Sequence, residues 1–227
     1  MSILRKILLS LLVLMVVQTI NYAQVNIKVG YNLAYTSTSA LDELVNAFNQ
    51  QNDFRLSKPL GTVNFISGID VGLRYTMGST SLEFSFDNLS SEKEALGEEP
   101  SDGSLFKEIY FYNQKGFSFG IETHSDKLGW GISLMNRTYS FKTNIATTNE
   151  KRDVLSDSVL AVKVNTSIYL GGTGNISFAI KPFYIFPISK IDLSPLASEW
   201  NIVPQNTPEE RFGTFGLSFV FYNGPQG

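Results

Sequence analysis

The sequence contains no cysteine and only one histidine. That excludes a disulfide scaffold, a thiolate metal site, a cysteine nucleophile, a lipoprotein anchor and a histidine-rich metal centre. Charge is also scarce: 17% of residues are charged, where globular chains carry about 25%. The formal net charge is −3, so there is no basic field to attract nucleic acid. Long apolar runs are missing after the first two dozen residues. The one that exists, Ile7 to Val17, follows Arg5 and Lys6. It is shorter than the roughly 20 residues a membrane helix needs and fits the apolar core of a secretory signal. Residues 1–23 are therefore expected to be a cleaved signal peptide ending at Ala23, and residues 24–227 one barrel domain.

What the chain does have is aromatic residues and glycine, with 17 Phe, 10 Tyr and 18 Gly, at a mean hydropathy of −0.01. Low charge beside near-zero hydropathy means that apolar residues are spread evenly, and the spacing is two. Val25, Ile27, Val29, Tyr31, Leu33 and Tyr35 alternate with Asn26, Lys28, Gly30, Asn32 and Ala34. The same period recurs from Val63 to Tyr75, Leu82 to Phe86, Phe117 to Ile121, Leu128 to Leu134, Leu160 to Leu170, Ile176 to Ile180 and Phe215 to Phe221. A period of two places each set on one sheet face. We read about eight strands. Tight-turn compositions (Gly78-Ser79, Ser125-Asp126-Lys127, Gly172-Thr173-Gly174) alternate with longer polar connections at 36–62, 97–104, 146–155 and 190–210. Short turns at one end and long loops at the other is the layout of an outer-membrane barrel, with both termini on the periplasmic side. The expected fold is an all-β, eight-stranded, antiparallel, up-and-down transmembrane β-barrel with a short helix in the first extracellular loop.

A soluble lipid-binding barrel would alternate as well, with its apolar face inward. Three features favour the membrane reading. The polar face is mostly Gly, Ser, Ala and Asn, which suits a narrow lumen better than a solvated surface. Its charges come in both signs: Lys28, Arg74, Arg137, Lys163 and Lys181 against Asp70, Glu83, Asp87 and Glu122. Enclosed charges must pair, because a lone buried one is expensive. Aromatics gather near strand ends as two interfacial girdles: Tyr75, Phe84, Trp130, Phe178 and Phe221 on the turn side; Tyr31, Tyr35, Phe65, Tyr184 and Phe186 on the loop side.

The signal, the strand pattern and the last strand Phe215–Tyr222 resemble the small outer-membrane barrels of the OmpA/OmpX type. The Gly30-Tyr31-Asn32 start and the long first loop look most like their Bacteroidota versions. The resemblance covers most of the mature chain and implies a monomer in outer-membrane lipid, inserted by the barrel-assembly machinery, which reads the last strand. Residues Asn223 to Gly227 follow Tyr222, departing from the family's terminal aromatic, so Phe219, Phe221 and Tyr222 would be the recognised residues. Pro182 and Pro187 lie within an expected strand, and a bulge or an early end to pairing is expected there.

An eight-stranded barrel is filled by its own side chains, so the nine lumenal charges should form a network; the alternative is a narrow channel in which Arg74, Arg137 and Glu122 switch partners. In the first loop, Leu41, Leu44, Val45 and Phe48 keep helical spacing behind Ser39 as a cap and Asp42 in the first turn. Their apolar face should bury on the barrel mouth, against Leu193, Leu196 and Trp200, on the lipid interface or on a partner. The middle strands run past the membrane, which would put Tyr110, Phe111, Tyr112, Tyr139 and Phe141 outside on hairpins whose edges could accept an extracellular or envelope protein. The acidic run Glu92, Glu94, Glu98, Glu99 and Asp102 lacks EF-hand spacing and reads as solvated charge rather than a metal site. Asp157-Ser158-Val159 looks like a short O-glycosylation acceptor, with Ser158 as the modified residue. His124, the only histidine, falls beside a periplasmic turn, away from the leaflet where barrel lipid-modifying enzymes work. No cofactor motif or catalytic set emerges. The expected role is structural or adhesive.

Overall fold

The structure, a computed structural model, describes residues 23–145, 151–173, 176–204 and 206–224. The signal-peptide segment lies outside the described residues. Eight long strands follow one another: β1 (Ala23–Thr36), β2 (Phe65–Met77), β3 (Thr80–Glu98), β4 (Leu105–His124), β5 (Leu128–Ile145), β6 (Lys151–Thr173), β7 (Ile176–Pro187) and β8 (Thr214–Tyr222). Each pairs antiparallel with its sequence neighbours. Closure comes from β1 on β8, running from Lys28↔Tyr222 to Thr36↔Thr214. The chain keeps this pairing one residue beyond β8, because Asn223 N–H donates to Ile27 O at 3.1 Å.

Tight turns close one end. Met77 pairs with Thr80, and Gly78 between them has φ 59, the positive angle that a two-residue hairpin requires. On the inward face of β2, a Cβ on Gly68 or Gly72 would lie 1.9 or 2.3 Å from a backbone oxygen of β3. Only glycine lets the two strands coil that closely. At the prolines it is the pairing that lapses or ends, and no bulge forms there. Pro182 pairs with Leu217 on its β8 side. On its β6 side the ladder lapses between Asn165↔Phe183 and Ile168↔Ile180 with no change of register. Pro187 ends β7. The register shift lies elsewhere, between Tyr169 and Gly172, where Gly171 has φ 93.

The other end carries the loops. Helix α1 (Ser39–Gln51) follows β1, and a three-residue strand, Leu56–Lys58, joins the upper part of β3. Between β7 and β8 lie helix α2 (Ser194–Glu199) and a two-stranded ribbon of Ile191–Asp192 with Glu209–Glu210. β6 starts at Lys151, so the third loop is shorter than its polar composition suggested. Ser39 is the first helical residue and Thr38 holds the cap position. Thr38 Oγ1 bonds to Asp42 Oδ1 at 3.0 Å, and Asp42 N–H donates to Thr38 O at 2.7 Å.

The main finding is that polarity inverts along the strands. In the lower half, apolar side chains point outward and are exposed: Val25, Ile27, Ile69, Leu73, Phe117, Phe119, Ile132, Leu134 and Leu217 among them. The inward positions there are polar and buried. Above Lys115 on β4 and Asn136 on β5 the same faces exchange character. Leu89, Ala95, Phe106, Tyr110, Tyr112, Tyr139, Phe141 and Leu155 point inward and are buried, while Asn113, Ser140, Lys142 and Ser156 point outward. Tyr110, Tyr112, Tyr139 and Phe141 therefore do not stand out on hairpins; only Phe111 keeps the outward face. They form a water-side core with Ile66, Met135 and Phe212, roofed by Leu41, Leu44, Val45 and Phe48 of α1 and by Leu193, Leu196 and Trp200. Phe212 is the hub, with ring centroids 5.0 Å from Tyr139 and 5.5 Å from Tyr112.

The raised sheet does not offer two open edges either. Leu56–Lys58 covers β3. On β6, Leu160 O accepts from Ile188 N–H at 2.8 Å, and above Leu160 that edge has no strand neighbour among the described residues. It is blunted by a bulge at Val154, by Lys151, Arg152 and Asp153, and by Asp157 Oδ1, which takes the Ser158 N–H at 2.7 Å. Charges and bulges are what discourage strand addition.

Phe212→Ala should cost the cap about 3–5 kcal/mol and leave the lower barrel standing. In a Trp130→Phe background Trp200 is the sole tryptophan. Its urea midpoint should fall sharply while the far-ultraviolet strand signal persists; loss of both signals together would contradict a separable cap.

Candidate functional site: lumen and outer cap

Alternation turns Lys28, Asp70, Arg74, Glu83, Asp87, Glu122, Arg137, Lys163 and Lys181 into the lumen. All are buried except Glu83, which is partly so. Seven of them form one lower cluster. Glu83 lies between Lys28 at 2.7 Å and Lys181 at 3.0 Å. Lys28 also meets Asp70 at 2.7 Å. Glu122 takes Lys181 at 2.9 Å and Arg74 at 3.5 Å. Arg137 and Asp87, 3.2 Å apart, make a separate upper pair, with Arg137 Nε donating to Gln114 Oε1 at 2.9 Å. Arg74 and Arg137 are both 0% exposed, so their guanidinium groups are enclosed within the lumen.

Several partners were not among the residues singled out from sequence. Tyr169 and Ser167 donate to Glu122, the latter at 2.8 Å. Tyr222 donates to Glu83 at 3.0 Å, and Arg74 lies 4.9 Å from its ring. Tyr222 thus faces the lumen, whereas Phe219 and Phe221 face out. Its phase in the last strand, opposite Phe221, was the available signal. Gln114, Thr36 and Thr214 form the ceiling above Arg137: Gln114 Nε2 donates to the Tyr112 hydroxyl at 2.6 Å, and Thr214 Oγ1 to Thr36 Oγ1 at 3.2 Å.

The charges do not quite cancel. Five cations face four carboxylates, and Lys163 is the loosest member, 4.0 Å from Asp70 and 4.9 Å from the Phe183 ring. His124 Nε2 lies 3.1 Å from Ser81 Oγ. Ser81 is fully buried and also accepts from Arg74 Nε at 2.9 Å, so its oxygen is not open to a substrate.

The girdle residues all lie outside the lumen. One row is continuous across four strands: Phe65, Tyr35, Phe215 and Tyr184, with Tyr35 and Phe215 rings 5.3 Å apart. The Phe178 and Phe221 rings lie 4.8 Å apart, tilted by 43°, on the turn side, where Trp130 and Tyr75 also face outward. Tyr31 and Phe84 lie inside the outward series of their strands rather than at its ends. Tyr31 OH instead donates to Ser67 Oγ at 3.1 Å.

Above the lumen, the loops lock together. Glu210 Oε2 accepts the Ala40 N–H at 2.7 Å, giving the start of α1 the negative charge its dipole favours. Phe48 and Trp200 rings lie 5.4 Å apart. Burial raises the tyrosine hydroxyls of this core. Tyr139 is pushed up from its ordinary 10.0 to about 12, and Tyr112 and Tyr110 rise as well, Tyr110 also because of Glu108. The acidic residues of the second hairpin do not converge: Glu94 pairs with Lys58 at 2.7 Å and Glu99 with Arg55 at 2.6 Å, and no group of metal-binding side chains occurs among the described residues. Ser158 is exposed in mid-strand, 2.7 Å from Thr138 Oγ1.

No protein-family model matches the sequence, and no curated protein does. Among solved structures the chain is similar to Neisserial surface protein A, at 9% identity over 89% of this chain and 98% of that one, with a TM-score of 0.46. It is also similar to Ail, the attachment invasion locus protein of Yersinia pestis, at 12% identity over 87% and 97%, with a TM-score of 0.44. The closed eight-stranded barrel rests on this chain's own ladder rather than on these distant likenesses.

Two outcomes follow. Glu122→Gln should destabilise by about 3–5 kcal/mol, since it takes the carboxylate from Arg74 and one of the two from Lys181, whereas Lys163→Met should be neutral or stabilising because it removes the surplus cation. Unfolding midpoints in one detergent check both, and equal losses would contradict the assigned network. Separately, a tyrosine held above its unfolded value stabilises fully below that value and loses the contribution as pH rises towards the folded one. Cap stability read from Trp200 should therefore decline between pH 10 and 12, by about 2–3 kcal/mol for Tyr139.

Proposed function

We propose that this chain is a monomeric integral barrel of a bacterial outer membrane, non-enzymatic and non-conducting, with a structural or adhesive role exerted through its outer cap. One observation carries the reading: a band of exposed apolar side chains encircles a buried set of paired charges. In water this would be inside out, since burying ions while exposing Phe65, Trp130 and Phe117 loses on both counts. In lipid the band is solvated, and closure satisfies every backbone edge. The same observation opposes a soluble lipid-binding barrel.

Two features support the non-conducting form over a narrow channel. Arg74 and Arg137 are buried in the lumen at two levels, each paired with a carboxylate, and a packed aromatic core sits above them. Against a lipid-modifying enzyme, Ser81 is buried and its neighbour His124 lies at the tight-turn end. The rigid roof of α1, α2 and the ribbon is the surface that an envelope or extracellular partner would meet.

Expressed with its leader, the protein should fractionate with outer membranes and migrate faster unheated than heated on a denaturing gel. Purified and reconstituted in planar bilayers, it should give no steady conductance. Large stable steps would favour the channel, and a soluble periplasmic product without heat-modifiable mobility would end the membrane reading.

A further inference from the structure

The outward wall of β3–β6 above the apolar band carries a concavity of about 350 Å³. Its lower end is Lys115, paired across the sheet with Asn88. Its middle is Asn113 and Ser140, which face each other in register, with Asn113 donating to Asn88 Oδ1 at 2.6 Å. Its upper end is Phe111, with Lys151 Nζ 3.9 Å from the ring centroid.

Three properties describe what would occupy it. First, the site continues the apolar band. Lys115 is two residues from Phe117, whose ring lies 4.9 Å from Phe86 and 6.3 Å from Phe84. Two strand residues span about 7 Å, so an acyl chain lying on those three rings brings its headgroup to Lys115. Second, charge is placed at the ends. Among the described residues no carboxylate lies within ion-pair distance of Lys115 or Lys151, whereas Lys142, opposite Phe111, is neutralised by Asp153 at 2.8 Å. Glu92, on the upper rim opposite Phe111, offers an acceptor to hydroxyl donors and disfavours a second anion beside it. Third, Lys115 to Phe111 is four residues, about 14 Å of height. A simple glycerophosphate does not reach that far above the acyl region. The amides, hydroxyl and aromatic ring between the two cations are groups that bind sugars.

From these we infer that the outer wall of β3–β5 is a site for the phosphorylated saccharide headgroup of an outer-leaflet glycolipid, with one phosphate on Lys115, the sugar along Asn113, Ser140 and Phe111, and a second anionic group towards Lys151. This rests on the membrane reading above.

The test is native mass spectrometry of the full mature chain in detergent. The probes are a diphosphorylated, acylated glucosamine disaccharide, its dephosphorylated counterpart and phosphatidylglycerol. The wild type should retain one diphosphorylated glycolipid in preference to both others. Lys115→Ala with Lys151→Ala should weaken that retention by roughly 25-fold, at about fivefold per lysine near a membrane surface. Lys58→Ala, on the short strand Leu56–Lys58 beside β3, should leave it unchanged. Equal retention of all three lipids, or equal retention by the double variant, overturns the site while leaving the membrane reading intact. A chain that stays soluble and folded without detergent overturns both. Heat-modifiable mobility of the double variant shows that a loss of binding is not a loss of fold.

Discussion

Closure of β1 on β8 is the constraint on which the rest depends. In hydrocarbon a strand cannot leave backbone groups unpaired, so the sheet must return on itself. Eight strands then enclose a space only wide enough for side chains. Whatever faces inward must fill that space and satisfy itself, and this is why the lysines, arginines and carboxylates of the lumen appear in shared contacts. Glu83 and Glu122 each hold two cations, and tyrosines from β6 and β8 add hydroxyl donors beside Ser167. The cluster is costly in solvation and is retained because small polar residues and compensated charges keep the interior from competing with the lipid-facing exterior for apolar contacts.

The second organising feature is the height at which the strands change sides. Below Lys115 and Asn136 the outward face is apolar and the filling is polar. Above them the outward face is polar, and the same two-residue period delivers an ordinary apolar core. The molecule is therefore two differently solvated bodies built on shared strands. The join is the layer of Arg137, Asp87, Gln114, Thr36 and Thr214, whose polar groups face the ion cluster on one side and the Tyr112–Tyr139–Phe212 stack on the other. Helix α1 could not stand alone in water at this length; it is held by that stack and by Glu210 reaching across from the last loop.

Much of this was legible in the chain. The strands, their even number, the turn side and loop side, the nine lumenal charges and the apolar face of α1 all follow from a period of two or of 3.6. The misreadings have one cause. The period tells which residues share a face, not which medium that face meets. Tyr110, Tyr112, Tyr139 and Phe141 were assigned to the outside because apolar meant outward in the membrane half, and the sign reverses above it. Phe212 and Glu210 carry no periodic signal at all, since they lie in a loop and matter only through what that loop touches.

The residue pattern by itself determined the closed antiparallel barrel, because alternation and turn chemistry are local and read directly from neighbouring residues. It also determined that the lumen would be charged and the band apolar. Only the tertiary structure decided which charge meets which, where the outward face turns from apolar to polar, and that the loops fold into a roof rather than reach outward. Those outcomes depend on contacts between residues far apart in the chain, such as Lys181 with Glu122, Ala40 with Glu210 and Phe48 with Trp200, and no local spacing encodes them.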